Sequence, residues 1–533
     1  MAVFMDVGNF IAKNSIPYTK FTTFVEQVYS HFKSYIMSFP IMTAEQAAEF
    51  VRNGDTVAFS GFTAAGTPKV VAPAIAAKAR KEHEAGKEFK INVFTGASTN
   101  DYIDGELSRA KAVNVRTPYQ SCKDTRNALN NHEIHYFDLH LSQLAQNMRY
   151  GFFGKVDFAI IEAAEVNDDG EILLGAGIGN IPTFAHLADK IIIELNEHIP
   201  AAIRGLHDIY VPADPPYRRE IPIYKPSDRI GSTVLKVDPK KIIGVVHSSS
   251  SDHVHGFAPI DETTMRIGEN VCKFLAGELR AGRIPKGFLP LQSGVGNIAN
   301  AVLHGLETSS EIPQFEMYTE VIQDAVIDLM EKGKCRFAST CALTFSDETM
   351  DRFFGNIGFF RDKVLIRPGE ISNNPEIIRR LGLITMNTVL EADIFGNVNS
   401  THVTGTKMMN GIGGSGDFTR NAYISIFSCP SITKEGKIST IVPMVSHLDH
   451  SEHSVAVLIT DQGIADLRGK DPEEKAHLII ENCAHPAYRQ LLRDYLKLGK
   501  GGHTPHCLRA AFGFHEEFMK SGDMSKTDWS AYC

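Results

Sequence analysis

Short apolar runs alternate with helical stretches along most of this 533-residue chain. The runs at 57–59 and 455–459 have the length and composition of buried strands, and each leads into a turn that contains glycine. Helix starts lie between such runs: Thr43 to Gln46 forms a capping box, and Asp471 precedes a proline at the first helical position. Because strands that alternate with helices form parallel sheets with helices on both faces, the pattern predicts an α/β protein with doubly wound, mainly parallel sheets.

The same order of features occurs twice, which indicates two copies of one α/β unit. The matches are shifted by a similar amount, about 224 to 234 positions, so the repeat is domain-sized. The matched segments are 57–62 with 289–294, 90–96 with 315–320, 161–163 with 390–392, and 177–179 with 411–413.

We therefore predict two tandem domains, residues 37–235 and 236–533, joined near residues 228–239. Residues 1–36 lie outside this pattern. Charged residues interrupt them and no small-residue cleavage site follows an apolar region, so they do not resemble a signal peptide. They are either an appendage that is not native, or Met37 is the true start of the chain.

Glu320 distinguishes the two copies. It follows the strand-like run at 315–319, where open α/β sheets place their chemistry, and the matching position of the first copy is Gly96. Residues 291–302 predict a strand, a glycine turn and a helix, whose N-terminus suits phosphate or an oxyanion. The pattern favours covalent acyl chemistry on a phosphate-bearing thioester, with an ordinary pKa that leaves Glu320 ionised at neutral pH. The alternative is that Glu320 is an exposed acid at a strand end.

The densest glycine run lies at 410–418, and it suits a backbone that approaches an oxyanion or a phosphate closely. A flexible turn is the alternative. The run does not match the nucleotide P-loop pattern, and Gly294 to Gly296 lacks the third glycine of a dinucleotide fingerprint. Neither nucleotide hydrolysis nor a dehydrogenase is therefore favoured.

Composition and charge exclude several classes of protein. A net charge of −9 argues against broad nucleic-acid binding. No apolar stretch reaches the length of about 18 residues that a membrane helix needs. The eight cysteines contain no C-x-x-C pair, which excludes a zinc ribbon and a thiol redox motif and indicates a reducing, cytoplasmic compartment.

One group of residues resembles a metal site in composition alone. Its members, spread over 447–453, are His447, Asp449, His450 and His453. Their spacing matches no H-E-x-x-H signature, and a polar loop between two strands explains them better. We predict no required metal.

Residues 291–302, 318–324, 410–418 and 440–469 together resemble the acetyl-CoA hydrolase/transferase family. The resemblance extends from about Met37 to about Gly513 and involves several long motifs in a fixed order. It implies a pair of CoA-transferase-like (NagB/RpiA-like) α/β domains, with the reactive glutamate in the second.

The resemblance also implies roles for individual residues. Glu320 corresponds to the glutamate that becomes a covalent glutamyl-CoA thioester, and Gly414 to a backbone N–H donor for the oxyanion. Arg229 corresponds to a residue that holds an acyl carboxylate, and Ser60 and Gly61 to a loop that faces the site. The positions implied to contact CoA are Gly294, Val295, Gly296, Asn297, Ile298, Asn410, Gly414 and Lys434.

The resemblance favours a CoA-transferase that moves CoA between short-chain acids, with succinate and acetate as the expected pair and ping-pong kinetics. CoA is then a substrate, no cofactor is permanently bound, and a homodimer is expected. An acyl-CoA hydrolase with the same intermediate is the near alternative. A non-catalytic CoA-binding module on the same fold is the alternative from another class.

Overall fold

The computed structural model describes residues 38–254 and 259–532, so the predicted appendage at 1–36 lies outside the described residues. Two sheets form the framework of the described chain. The strands of the first sheet are β1 (Thr56–Phe59), β2 (Ile91–Ala97), β3 (Val113–Tyr119), β4 (His135–Tyr136), β5 (Val156–Val166), β6 (Glu171–Leu174), β7 (Ala188–Asn196), β8 (Leu235–Lys236) and β9 (Ile242–Ser248).

The second sheet and several short ladders beside it contain the other described strands. The sheet consists of β10 (Leu291–Ser293), β11 (Phe315–Tyr318), β13 (Cys335–Thr340), β15 (Val364–Ile366), β16 (Ile384–Thr388), β21 (Ile424–Ser428), β25 (Val457–Thr460) and β26 (Gly463–Asp466). The short ladders consist of β12 (Val321–Gln323), β14 (Ala342–Thr344), β17 (Glu391–Asp393), β18 (Val398–Asn399), β19 (His402–Val403), β20 (Lys407–Met408), β22 (Ile432–Thr433), β23 (Ile438–Ser439) and β24 (Ile441–Val442).

Helices connect the strands and cover the sheets. They are α1 (Ala44–Glu49), α2 (Val71–Glu84), α3 (Glu106–Arg109), α4 (Lys123–Asn130), α5 (Leu141–Arg149), α6 (Ile181–Leu187), α7 (Glu262–Arg280), α8 (Asn297–Thr308), α9 (Asp324–Glu331), α10 (Asp347–Gly355), α11 (Ile357–Phe360), α12 (Gly369–Ser372), α13 (Pro375–Leu381), α14 (Ser415–Thr419), α15 (Pro472–Asn482), α16 (Pro486–Leu498) and α17 (Gly513–Ser521). The predicted capping box is present at the start of α1, and at the start of α15 the predicted N-cap Asp471 is followed by a proline at the first helical position. None of these helices is long and apolar enough to cross a bilayer.

Both sheets have the same parallel strand order. In the first, the order is β4-β3-β2-β1-β5-β7-β9, and in the second it is β15-β13-β11-β10-β16-β21-β25. Every pairing along these two paths is parallel, while β6, β8 and β26 add antiparallel strands. The predicted α/β class with mainly parallel sheets is confirmed, and the repeated order agrees with the duplication read from the sequence.

The first sheet continues beyond the predicted join at 235/236. Strand β9 pairs with β7, so the chain passes from the first sheet to the second between Ser248 and Leu291. Parallel pairing depends on contacts between segments far apart in sequence, so the position of this change is not a local property of residues 228–239. The division into two domains stays a prediction.

The two units pack against each other over a shared core. The largest cluster of buried apolar side chains includes Ala58 and Ile161 of the first sheet and Leu291 and Ile384 of the second. The backbone also connects them, because Leu343 N–H donates to the carbonyl of Ala176 at 2.9 Å. This packing brings the C-terminal ends of strands from both sheets to one cavity.

Candidate active site

Glu320 occupies the short link between β11 and β12, at the C-terminal end of a central strand. Its backbone carbonyl accepts hydrogen bonds from Cys341 N–H at 2.8 Å, Thr340 Oγ1 at 2.9 Å and Ala342 N–H at 3.2 Å. Three donors on one carbonyl fix the backbone, so the Glu320 side chain is presented to the cavity from a rigid support.

Two groups surround the Glu320 carboxylate closely. The side-chain amide of Asn373 donates to Oε1 at 2.5 Å. Gly414 lies so near that a Cβ built there would overlap Oε1 of Glu320 and Nδ2 of Asn373. The glycine therefore allows the backbone of the 410–418 run to lie against the carboxylate.

The pKa of Glu320 differs from the ordinary value expected from the sequence. Burial raises it to about 7, the hydrogen bond from Asn373 opposes this, and the nearby Asp417 raises it further. The expectation that Glu320 is fully ionised at neutral pH is therefore wrong, because the carboxylate has lost much of its hydration. Near pH 7, the protonated and ionised forms of Glu320 therefore coexist.

The cavity beside Glu320 has a volume of about 900 Å³, which is within the range of small-molecule and cofactor sites. Both units contribute to its walls. The first unit provides Phe62, Thr63, Ala64, Ala97, Thr99, Asn100, Asp101, Tyr102, Tyr119, Ser121, Leu141, Asp252, His253 and Val254. The second provides Gly294, Val295, Glu320, Val321, Thr344, the segment 387–390, Ser400 and the segment 410–415.

Residues of the first unit hold the glycine run of the second in place. Asp138 accepts from Ile412 N–H at 2.8 Å, and Arg126 Nε donates to the Met409 carbonyl at 2.7 Å. These contacts join the two units at the cavity. The position of Gly414 against Glu320 is therefore set by residues nearly three hundred positions earlier in the chain.

The residues at 447–453 support the same run from the other side. His450 Nε2 lies 2.9 Å from Ser415 Oγ, and Asp449 accepts from Thr401 Oγ1 and from Ser400 N–H. Burial lowers the pKa of His450 to about 4, so its imidazole is neutral at physiological pH. Over residues 38–254 and 259–532, no group of three or more His, Cys, Asp or Glu side chains is arranged to hold a metal ion.

The structure brings some of the sequence-predicted site residues to the cavity. Those that line it are Gly294, Val295, Glu320, Asn410 and Gly414. The turn before α8 has the predicted form, with Gly296 at φ 118° as the residue before the helix. Gly296, Asn297 and Ile298 follow the lining residues in this turn and first helical positions, and their contact with CoA stays a prediction.

Besides Gly296, Asn297 and Ile298, four other predicted residues are not among the residues lining the cavity. Ser60 is buried behind the wall, where its hydroxyl donates to the Gly66 carbonyl at 2.7 Å, and Gly61 follows it at φ 108°. Arg229 donates to the His207 carbonyl at 3.3 Å, and Lys434 Nζ lies 5.0 Å from the ring centre of Phe518. Their assigned roles stay predictions.

Two polar residues of the site were missed by the sequence reasoning. Asn373 follows α12 in a Ser-Asn-Asn-Pro stretch that carries no recognisable motif. Asp417 lies within the glycine run itself, so an acid among small residues was its only signal. Both are buried, and both reach Glu320 only through folding.

Comparison with known proteins gives two matches to family models. The acetyl-CoA hydrolase/transferase N-terminal domain matches residues 31–247, and the C-terminal domain of the same name matches residues 350–496. Glu320 lies between the two matched regions.

Relatives match over nearly the whole chain. A propanoyl-CoA:succinate CoA transferase of Escherichia coli strain K12 is 50% identical over 483 residues, which cover 91% of this chain and 98% of that protein. A succinyl-CoA:acetate CoA-transferase of Clostridium kluyveri is 47% identical over 487 residues, covering 91% of this chain and 90% of that protein. An acetyl-CoA hydrolase of Candida glabrata is 41% identical over 507 residues, covering 92% of this chain and 96% of that protein.

A solved structure of similar architecture is the 4-hydroxybutyrate CoA-transferase of Porphyromonas gingivalis. It matches with a TM-score of 0.59 at 20% identity, and the match covers 89% of this chain and 99% of that one. At this identity the likeness concerns the fold.

Proposed function

The chain belongs to the acetyl-CoA hydrolase/transferase family, and we propose that it moves CoA between a short-chain acyl-CoA and a carboxylate through a covalent thioester on Glu320. The observation that carries this proposal is the placement of the Glu320 carboxylate. It lies at a strand end in a cavity of about 900 Å³, in contact with Gly414 and hydrogen-bonded by Asn373. Succinyl-CoA and acetate are the expected pair.

The first half of the reaction transfers CoA to the enzyme. A Glu320 oxygen attacks the acyl carbonyl carbon, the carbon–sulfur bond breaks, and CoA leaves as a thiolate. The enzyme then carries an acyl-glutamyl anhydride. The thiolate then attacks the Glu320 carbonyl carbon, and the acid leaves as a carboxylate. The product is a glutamyl-CoA thioester, so the negative charge of Glu320 has passed to the released acid.

The second half reverses these steps with a different acid. Its carboxylate attacks the Glu320 thioester carbonyl and displaces CoA thiolate, which then attacks the acyl carbonyl of the new anhydride. Glu320 leaves as a carboxylate and the new acyl-CoA departs. Because the first acid departs before the second enters, the kinetics are ping-pong.

Gly414 and Asn373 are the proposed partners of Glu320 in these steps. Each tetrahedral intermediate carries a negative oxygen, and the backbone of Gly414, which lies against the Glu320 carboxyl group, is the proposed N–H donor to one such oxygen. Asn373 orients the attacking carboxylate by its hydrogen bond to Oε1. Neither contact requires the transfer of a proton when the Glu320 carboxylate attacks the acyl carbonyl carbon.

Hydrolysis is the second candidate, since acetyl-CoA hydrolases are among the relatives. In that reaction water attacks the same intermediate and no acceptor acid is needed. The two activities differ in how water reaches Glu320, which lies against a cavity rather than in a sealed interior.

Trapping the intermediate tests the proposal. The protein is incubated with succinyl-CoA or acetyl-CoA without an acceptor acid, treated with borohydride, digested, and analysed by peptide mass spectrometry. A thioester is reduced to an alcohol, so the Glu320 peptide loses one oxygen atom and gains two hydrogens. The Glu320→Gln variant serves as the control and gives no change.

The fate of the trapped species separates the candidates. Discharge by acetate or succinate with formation of the matching acyl-CoA supports the transferase, while rapid discharge in buffer alone supports the hydrolase. An unchanged Glu320 peptide in folded protein, across the donor panel, refutes covalent catalysis there and favours a non-catalytic CoA-binding module.

We also propose that the enzyme acts as a homodimer in the cytoplasm, with CoA as a substrate and no permanently bound cofactor or metal. Support for a reducing compartment comes from the cysteines, since all seven in the described part of the chain are free thiols. Light scattering of the purified protein measures the oligomeric state directly, and metal analysis of the same sample tests the last point.

A further inference from the structure

Asp417 is a buried carboxylate near the partly exposed Glu320, and the reaction steps above do not use it. It lies in α14, directly after Gly414 to Gly416, and only 4% of its surface is exposed. Ser142 of the first unit donates to it twice, from the backbone N–H at 3.0 Å and from the hydroxyl at 2.5 Å. Asp417 is therefore a buried acid that the first unit binds by hydrogen bonds near the proposed nucleophile, and we expect it to affect that nucleophile.

Asn373 connects the two carboxylates. Its Nδ2 atom lies 2.5 Å from Oε1 of Glu320 and 3.3 Å from Oδ2 of Asp417. A side-chain amide nitrogen carries two hydrogens, so one can be donated to each acid. Two carboxylates that share one donor in a buried site cannot both ionise without strong mutual repulsion.

We propose that Asp417 and Glu320 titrate as a coupled pair through Asn373, holding one shared proton near neutral pH, so that Asp417 sets the pH at which Glu320 becomes a nucleophile. Asp417 is thus a positioning residue that acts through Asn373 and does not touch the substrate. This inference rests on the proposed function, because it concerns the nucleophilic form of Glu320.

The electrostatic surroundings support the coupling. Burial raises the pKa of Asp417 to about 7, close to that of Glu320, and the Asp417 charge raises the pKa of Glu320. When two acids of similar pKa repel each other, the first proton leaves either of them and the second is held more tightly. Glu320 is then fully ionised only after both protons have left.

Other groups around the pair do not take over this titration. Arg420 faces Asp417 and favours its ionised form. Burial lowers the pKa values of His140 and His450, and burial raises the pKa of Tyr119 to about 12, so all three are neutral near pH 7. The variable charges that face each other here are those of Glu320 and Asp417.

The Asp417→Asn variant tests the proposal. Asparagine fits the site, because its oxygen can accept from Ser142 N–H and Asn373 while its nitrogen donates to Ser142 Oγ. The measurement is kcat/KM against pH. In the wild type we expect a shallow rise that extends over two ionisations, and in the variant a single-proton rise with its midpoint lower by about one pH unit.

A second variant keeps the test independent of how Asp417→Asn folds. Ser142→Ala removes the hydroxyl that donates to Asp417, so the ionised form of Asp417 is destabilised and the shared proton lies on Asp417 more often. The midpoint is again expected at lower pH, with a smaller shift. Asp138→Asn is the matched control, because Asp138 holds the same glycine run at Ile412 N–H. Its midpoint should equal that of the wild type.

The outcomes are distinct. The coupling is refuted if the pH profiles of the wild type, Asp417→Asn and Ser142→Ala have equal midpoints and equal steepness. A uniform loss of activity at all pH values does not change this conclusion, because such a loss indicates a structural role. A shift in Asp138→Asn as large as in Asp417→Asn also refutes the coupling. Failure of the wild type to form the Glu320 thioester refutes the proposed function instead, and that is measured separately by borohydride trapping.

Discussion

Replacement of Gly414 by alanine should abolish most activity while leaving the fold intact. The backbone at Gly414 has φ −92° and ψ −3°, a helical conformation that alanine adopts without strain. The added methyl group would overlap Oε1 and Cδ of Glu320 and Nδ2 of Asn373. The whole effect therefore falls on the carboxylate and on the amide that orients it.

The size of the effect follows from this overlap. Removing it requires a displacement of the carboxylate or the loop on the order of 1 Å, and a misplacement of that size can cost about 100-fold in rate. This loss corresponds to about 2.7 kcal/mol in barrier height. We expect kcat to fall by roughly that factor, with less thioester trapped in a fixed time.

The assay is CoA transfer from succinyl-CoA to acetate, measured together with the thermal unfolding midpoint. Gly277→Ala is the matched control, because Gly277 lies within α7 and a Cβ there meets nothing within 4 Å. That variant should keep full activity and gain about 0.5–1 kcal/mol in stability. A Gly414→Ala enzyme within threefold of wild-type kcat would refute the steric reasoning.

Three further outcomes are expected. Because Glu320 has a pKa of about 7 and its ionised form is the proposed nucleophile, kcat/KM should rise as the pH increases through neutrality, and a rate independent of pH between 5 and 8 would contradict this. The Glu320 carboxyl group has a pKa of about 7 in the folded state, above its ordinary value of 4.5. Its contribution to the free energy of unfolding is therefore fully present below pH 4.5 and is lost as the pH rises through about 7. Glu320→Gln should therefore be more stable than wild type at pH 8 but not at pH 4.5, as measured by thermal unfolding. Lys69→Met should cost about 3–5 kcal/mol in denaturant unfolding, since it leaves the buried Glu162 and the cavity-lining Asp252 without their shared cation. Lys497→Met, at an exposed ion pair with Asp494, is its control and should have little effect.

The sequence alone determined the class of fold and the position of the central acid. Strand and helix periodicity are local properties, and the repeat of strand, Ser-Gly turn and helix revealed the duplication before any contact was known. A residue that follows a parallel strand emerges at the carboxyl edge of the sheet, so Glu320 could be placed from its position in 315–320. Glycine runs are equally local, and the run at 410–418 contains Gly414, which lies against Glu320.

Only the tertiary structure decided the environment of that acid. Asn373, Asp417 and Ser142 are separated from Glu320 by between 53 and about 180 positions, and none belongs to a motif that points to it. The pKa of Glu320 depends on burial and on these partners, so a strand-end glutamate in the sequence was expected to be ordinary. Arg229 and Lys434, whose roles the family resemblance implied, are not among the residues that line the cavity, and their roles stay predictions. Local patterns indicate the helices and strands, whereas hydration and charge at a site depend on which distant residues the packing of two sheets brings together.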